Sequence, residues 1–137
     1  MSEELVVERS IDLDRPTAEV WALLATADGW CEWMVDSAAI EVASGAVGSV
    51  VDDEVHRRVC IRHVDEGQGL TFAWWEHDDP ASASEVTITL HELGDGGSRV
   101  HVIERAVLGA AVRTAQPSVW EVRACLLAMA LHSPARV

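Results

Sequence analysis

The chain has 137 residues, 49% of them hydrophobic, and a formal net charge of −13. That length fits one domain whose core needs neither disulfide nor metal, and the apolar fraction excludes a disordered chain. Ten arginines and no lysine stand against 23 acidic residues, so the surface repels phosphate backbones and anionic lipid heads and argues against nucleic acid or membrane as partners.

In chain order, residues 3–11 read as a first strand. Pro16 opens a helix through 27, because proline suits the first helical position. Val20, Trp21, Leu23, Leu24 and Ala27 form its apolar stripe, and Asp28-Gly29 breaks it. A second short helix of about 29–34 carries Trp30, Trp33 and Met34. From Ser37 to Glu104 the spacing is that of hairpins, with strands at about 38–43, 48–53, 55–64, 69–77, 85–93 and 98–105. DEGQ (65–68) and GDGG (94–97) are the clearest turns. From about 118 to 131 the period returns to helical, opened by a capping box of Ser118 and Glu121.

This order predicts an α+β domain over residues 1–137, a curved antiparallel sheet of six to seven strands wrapped around the C-terminal helix. No apolar run approaches the roughly 18 residues of a bilayer span, and the opening MSEELVVERS is acidic where a secretory leader is basic. The expectation is a cytoplasmic protein. Of the three cysteines, none forms a CxxC; Cys60 and Cys125 read as small core residues.

The two hairpins say what faces inward. A four-residue loop at 65–68 pairs His63 with Leu70, Ile61 with Phe72, Val59 with Trp74 and Arg57 with Glu76, all on the buried face. Arg57 and Glu76 are then either a cross-strand ion pair at the rim or a polar anchor for a ligand's carboxylate or hydroxyl. In the last hairpin Val86, Ile88 and Leu90 share a face with Val100 and Val102. Setting His91 opposite His101 satisfies that, and no third good metal ligand neighbours them. His56 and His63 are expected to face opposite ways, and His77 with Asp78 and Asp79 to form a solvated loop.

Six tryptophans, one phenylalanine and no tyrosine make an unusual aromatic set. Trp21 is expected in the core and Trp75 on the other sheet face. Trp33, Trp74 and Trp120 fall where a cup between sheet and last helix would be lined; plain core packing is the competing reading.

Four stretches carry a family resemblance: ERSIDLDRPTAEVWALLAT (8–26), DGWCEWM (28–34), VDEGQGLTFAW (64–74) and SEVTITLHELGDGGSRVHVIER (84–105). In this order they resemble the SRPBCC (START-like, helix-grip) superfamily, closest to the group named for activators of the heat-shock protein 90 ATPase. The resemblance implies the helix-grip fold and a cavity between sheet and C-terminal helix. The leading functional reading is non-catalytic binding of a small apolar or aromatic molecule. Its expected site is Trp33, Val59, Ile61, Phe72, Trp74, Ile88, Leu90, Trp120 and Leu127, with Arg57 and Glu76 at the rim, and neither metal nor cofactor is called for. One alternative is a cyclase-, aromatase- or hydrolase-like enzyme using Glu76, Arg57 and His63. Another is a stress-response co-chaperone with Trp30 and Trp75 as surface anchors. A homodimer and a chaperone partner stay open.

Overall fold

A computed structural model describes residues 4–107 together with Leu127. Strand β1 (Glu4–Leu13) leads into helices α1 (Thr17–Leu24) and α2 (Ala27–Trp33). Strands β2 (Ser37–Ala39), β3 (Val47–Asp52), β4 (Val55–Asp65), β5 (Gly69–Glu76), β6 (Asp79–Glu92) and β7 (Ser98–Val107) follow. They form one curved seven-stranded antiparallel sheet in the order β1-β7-β6-β5-β4-β3-β2. The long C-terminal helix expected from the sequence lies outside the described residues, except that Leu127 is helical and fully buried. Among the described residues no helix is long and apolar enough to cross a membrane.

The sheet buries one face, as alternation requires. On β4, Arg57, Val59 and Ile61 are buried while His56, Arg58 and Arg62 are exposed. Phe72 and Trp74 on β5, Val86 and Ile88 on β6, and Val100 and Val102 on β7 continue that inner face. Trp30 of α2 packs on it, its ring 4.9 Å from that of Phe72 and tilted by 41°.

Loop chemistry differs from the sequence expectation in four places. The β4–β5 loop has three residues rather than four: Asp65 pairs with Gly69, and Gly67 takes the left-handed conformation (φ 79°) that glycine allows without strain. A bulge between Ile61 and His63 absorbs the difference. The β6–β7 loop is longer than GDGG, so His91 pairs with Arg99 and His101 with Thr89. The register moves by two residues, and the inward set is unchanged because side chains alternate with period two. Strand β2 is only three residues long, and β6 begins at Asp79, well before 85. Asp53 and Glu54 turn the chain between β3 and β4 with φ of 51° and 66°. The Asp36 carboxylate accepts the Asp53 N–H at 2.8 Å and holds that glycine-free turn.

The α1–α2 junction also differs. Thr26, not Asp28-Gly29, divides the helices, because its hydroxyl accepts the Gly29 N–H at 2.9 Å and caps α2. The last carbonyls of α1 have no helical donor. Indoles supply it: Trp30 Nε1 donates to the Leu24 carbonyl at 2.8 Å and Trp33 Nε1 to that of Leu23 at 3.1 Å. Gly29 permits this closeness, since a Cβ there would lie 2.7 Å from the Leu23 carbonyl oxygen. Trp21 is half-buried against the core rather than within it.

Strand β1 is held to β7 by more than its ladder. Asp12 accepts from Arg99 Nε at 2.7 Å and Nη2 at 3.1 Å. The Ser98 hydroxyl donates to the Arg15 carbonyl at 2.6 Å.

Two outcomes follow. Gly29→Ala should lower stability by about 1–3 kcal/mol from the backbone clash. A stabilisation in urea unfolding, as expected from helix propensity alone, would show that α1 and α2 have room to separate. The Arg99 guanidinium, by hydrogen bonding, holds the Asp12 carboxyl below its ordinary value. The contribution of the pair is therefore complete above the ordinary aspartate range and lost as pH falls through the lowered value. Wild type should exceed Asp12→Asn in stability near neutral pH and converge with it in strong acid; a gap independent of pH would remove the ion pair from the account.

Candidate functional site

A chain of polar side chains crosses four strands on the inner face. Glu104 of β7 is fully buried. Its Oε2 accepts the Ser84 hydroxyl of β6 at 2.5 Å and Trp74 Nε1 of β5 at 3.0 Å. Trp74 Nε1 also reaches Ser84 Oγ at 3.0 Å, so one N–H is shared between two oxygens. On the other side of Trp74, the Arg57 guanidinium of β4 lies over the indole, 4.8 Å from its centroid. Arg57 Nη1 donates to Asp52 at 3.3 Å.

Register builds this arrangement. Trp74 stands directly between Val59 and Ser84, and Glu104 lies opposite Val86 on one side and Val7 on the other. The surroundings are apolar: Phe72 meets the Trp74 ring edge-on at 5.2 Å and 80°. Burying a carboxyl group costs several kcal/mol unless hydrogen bonds replace its water. Here the indole N–H and the serine hydroxyl supply them. Arg57 is 8% exposed, and its Nε is buried with no hydrogen-bond partner.

The sequence-predicted site residues fall as follows. Val59, Ile61, Phe72, Trp74, Ile88, Leu90, Arg57 and Glu76 all lie on the inner face, and Trp33 and Leu127 are buried. Arg57 is opposite Glu76, as the loop argument required. Trp33 and Leu127 meet Ile11, Val100 and Val102 around a cavity of about 10 Å³, the space of one water. Trp120 and Cys125 lie outside the described residues.

Several expectations are corrected. The bulge turns His63 outward opposite Thr71 and brings Val64 opposite Leu70, so His63 leaves the inner face and shares the outer one with His56. Cys60 is half-buried on the outer face, opposite Ala73. Trp30 is fully buried and cannot serve as a surface anchor. Trp75 does face outward and is half-buried. His101 turns from His91 toward β1, 2.7 Å from Ser10 Oγ and 3.3 Å from Glu8 Oε2. Among the described residues no group of three His, Cys, Asp or Glu is placed to hold a metal ion.

The sequence reading missed Glu104 and Ser84. Alternation was the available signal: Glu104 has the parity of Val100 and Val102, and Ser84 that of Val86 and Ile88. Beyond the inner face, an open groove of about 420 Å³ lies at the sheet end, lined by Glu54, Val55, His56, Glu76, His77, Asp78 and Asp79.

Glu104→Ala should cost about 1–3 kcal/mol for each buried donor it leaves without an acceptor. Glu104→Gln keeps an acceptor oxygen and should cost less. Equal shifts in the urea midpoint for both variants would mean that hydrogen bonding is not what Glu104 supplies.

Comparison with known proteins places this geometry in context. A family model described as Activator of Hsp90 ATPase homolog 1-like protein matches residues 14–122. No curated protein matches the chain. Among solved structures, a protein of unknown function, SA2116 from Staphylococcus aureus, superposes with a TM-score of 0.83 at 10% identity, over 99% of this chain and 98% of that one. CalU16 from Micromonospora echinospora gives 0.72 at 20% identity, over 98% and 88%. DynU16, from the dynemicin biosynthetic locus, gives 0.77 at 18% identity over 93% of this chain, which spans 47% of DynU16. At such identities these structures share the fold alone.

Proposed function

The chain belongs to the Activator of Hsp90 ATPase homolog 1-like family, whose model covers most of its length, and from that premise we propose that it binds a small apolar molecule against the inner face of its sheet. Members of the wider family commonly bind hydrophobic ligands. One observation carries the reading: convergent polar groups, Arg57, Trp74, Ser84 and Glu104, are set into an otherwise apolar buried face. That is the composition of a ligand site, in which apolar walls give affinity and a few polar atoms give orientation. A plain core of this size gains nothing from a buried carboxyl and guanidinium that apolar side chains of like volume would not match.

The cavity beside Trp33 and Leu127 is water-sized. A molecule of several heavy atoms seated at that point would have to displace the side chains that line it. Ligand affinity is reduced by whatever that opening costs.

The alternative catalytic set of Glu76, Arg57 and His63 loses its histidine to the outer face. The co-chaperone reading loses Trp30 as an anchor.

Native mass spectrometry of freshly purified protein, followed by tryptophan-fluorescence titration with fatty acids and aromatic polyketide-like compounds, tests the proposal. The expected result is a co-purified mass or a saturable quench, with the quench abolished in Trp74→Phe. No bound mass and no saturable response across the panel would reduce the tryptophans to core packing.

A further inference from the structure

Resting on the ligand-binding reading above, we infer that the ligand is an uncharged carbonyl compound, a ketone, ester or quinone on an apolar frame, whose oxygen accepts the Arg57 Nε–H.

Hydrogen-bond supply singles out one atom on the inner face. Among the buried side-chain atoms described, only the Nε atoms of Arg15 and Arg57 have no partner. Arg15 is half-buried at the turn after β1, whereas Arg57 is on the inner face. Of the described donors beside it, the Trp74 N–H is taken by Ser84 and Glu104, and the Ser84 hydroxyl by Glu104. A buried N–H without an acceptor is costly, and an incoming acceptor oxygen removes that cost. The inner face therefore asks its ligand for an acceptor.

Charge decides which acceptor. The Arg57 guanidinium is already neutralised by Asp52 at 3.3 Å. Glu76 stands opposite it, and Glu104 lies beyond Trp74. A ligand carboxylate buried there would add a negative charge that no further cation among the described residues is placed to meet. The field of the protein opposes it as well, since the groove at this end of the sheet is lined by Glu54, Glu76, Asp78 and Asp79, and the whole chain is at −13. A hydroxyl would bring a hydrogen that must be seated on a further acceptor. A carbonyl oxygen brings neither charge nor hydrogen.

The test uses three probes on one ring: 2-acetylnaphthalene, 2-ethylnaphthalene and 2-naphthoic acid, titrated by calorimetry into the full chain, Arg57→Lys and Arg57→Met. Lysine keeps the positive charge but places a methylene where Nε stands, and it decides the matter if the methionine variant does not fold. The expected result is that wild type prefers the ketone to both others by roughly tenfold, the factor one well-made hydrogen bond supplies. The variants should lose that preference, the ketone-to-hydrocarbon affinity ratio falling to about one. A preference for the acid, equal affinities, or a ketone preference that survives Arg57→Lys would overturn the carbonyl assignment and leave the apolar site standing. If none of the three binds wild type, the carbonyl assignment fails, while the ligand-binding reading stands or falls on the fatty-acid and polyketide panel above.

Discussion

Side-chain alternation along seven antiparallel strands governs this molecule, because its sheet buries one face only. A slip of one residue in any strand would send that strand's apolar set to solvent. The loops are therefore free to vary only in ways that preserve parity. The β6–β7 loop can be longer than its glycine-rich turn suggests, since a two-residue shift returns the same side chains to the core. The shorter β4–β5 loop would break parity, and the bulge beside Arg62 restores it. The cost of that repair falls on His63, which is turned from the inner face to the outer one.

The same constraint delivers polar groups to the interior. Glu104 follows Val100 and Val102 inward, and Ser84 precedes Val86 and Ile88. Trp74 reconciles them with their surroundings. Its ring packs edge-on to Phe72 while its single N–H bridges the serine and glutamate oxygens. Its other side carries the Arg57 guanidinium. One aromatic residue thus joins apolar packing to a polar chain across four strands.

The two helices depend on tryptophan in another way. Helix α1 ends with carbonyls that need donors, and the indoles of Trp30 and Trp33 reach back to supply them. Those bonds fix α2 against α1 and seat Trp30 on Phe72. Cap, glycine contact and indole bonds act over ten residues, so this corner is specified locally.

Much of this was legible in the residues. Hairpin spacing, alternation and the proline-led helix determined the class, the strand order along the chain and nearly every inward apolar residue, because these follow from local period and loop closure. Parity alone would also have put Glu104 and Ser84 inside, had charged and polar positions been followed with the apolar ones. Tertiary structure decided the rest. Whether a strand carries a bulge depends on competition between turn geometry and the burial of a distant strand, so His63 was placed wrongly. Which acid Arg57 meets depends on β3 lying alongside β4, and the ion pair it makes is with Asp52. That Trp74, Ser84 and Glu104 share hydrogen bonds depends on three registers being set together. No single stretch of sequence contains such a contact, because its energy exists only once separate strands have been paired and the water between them removed.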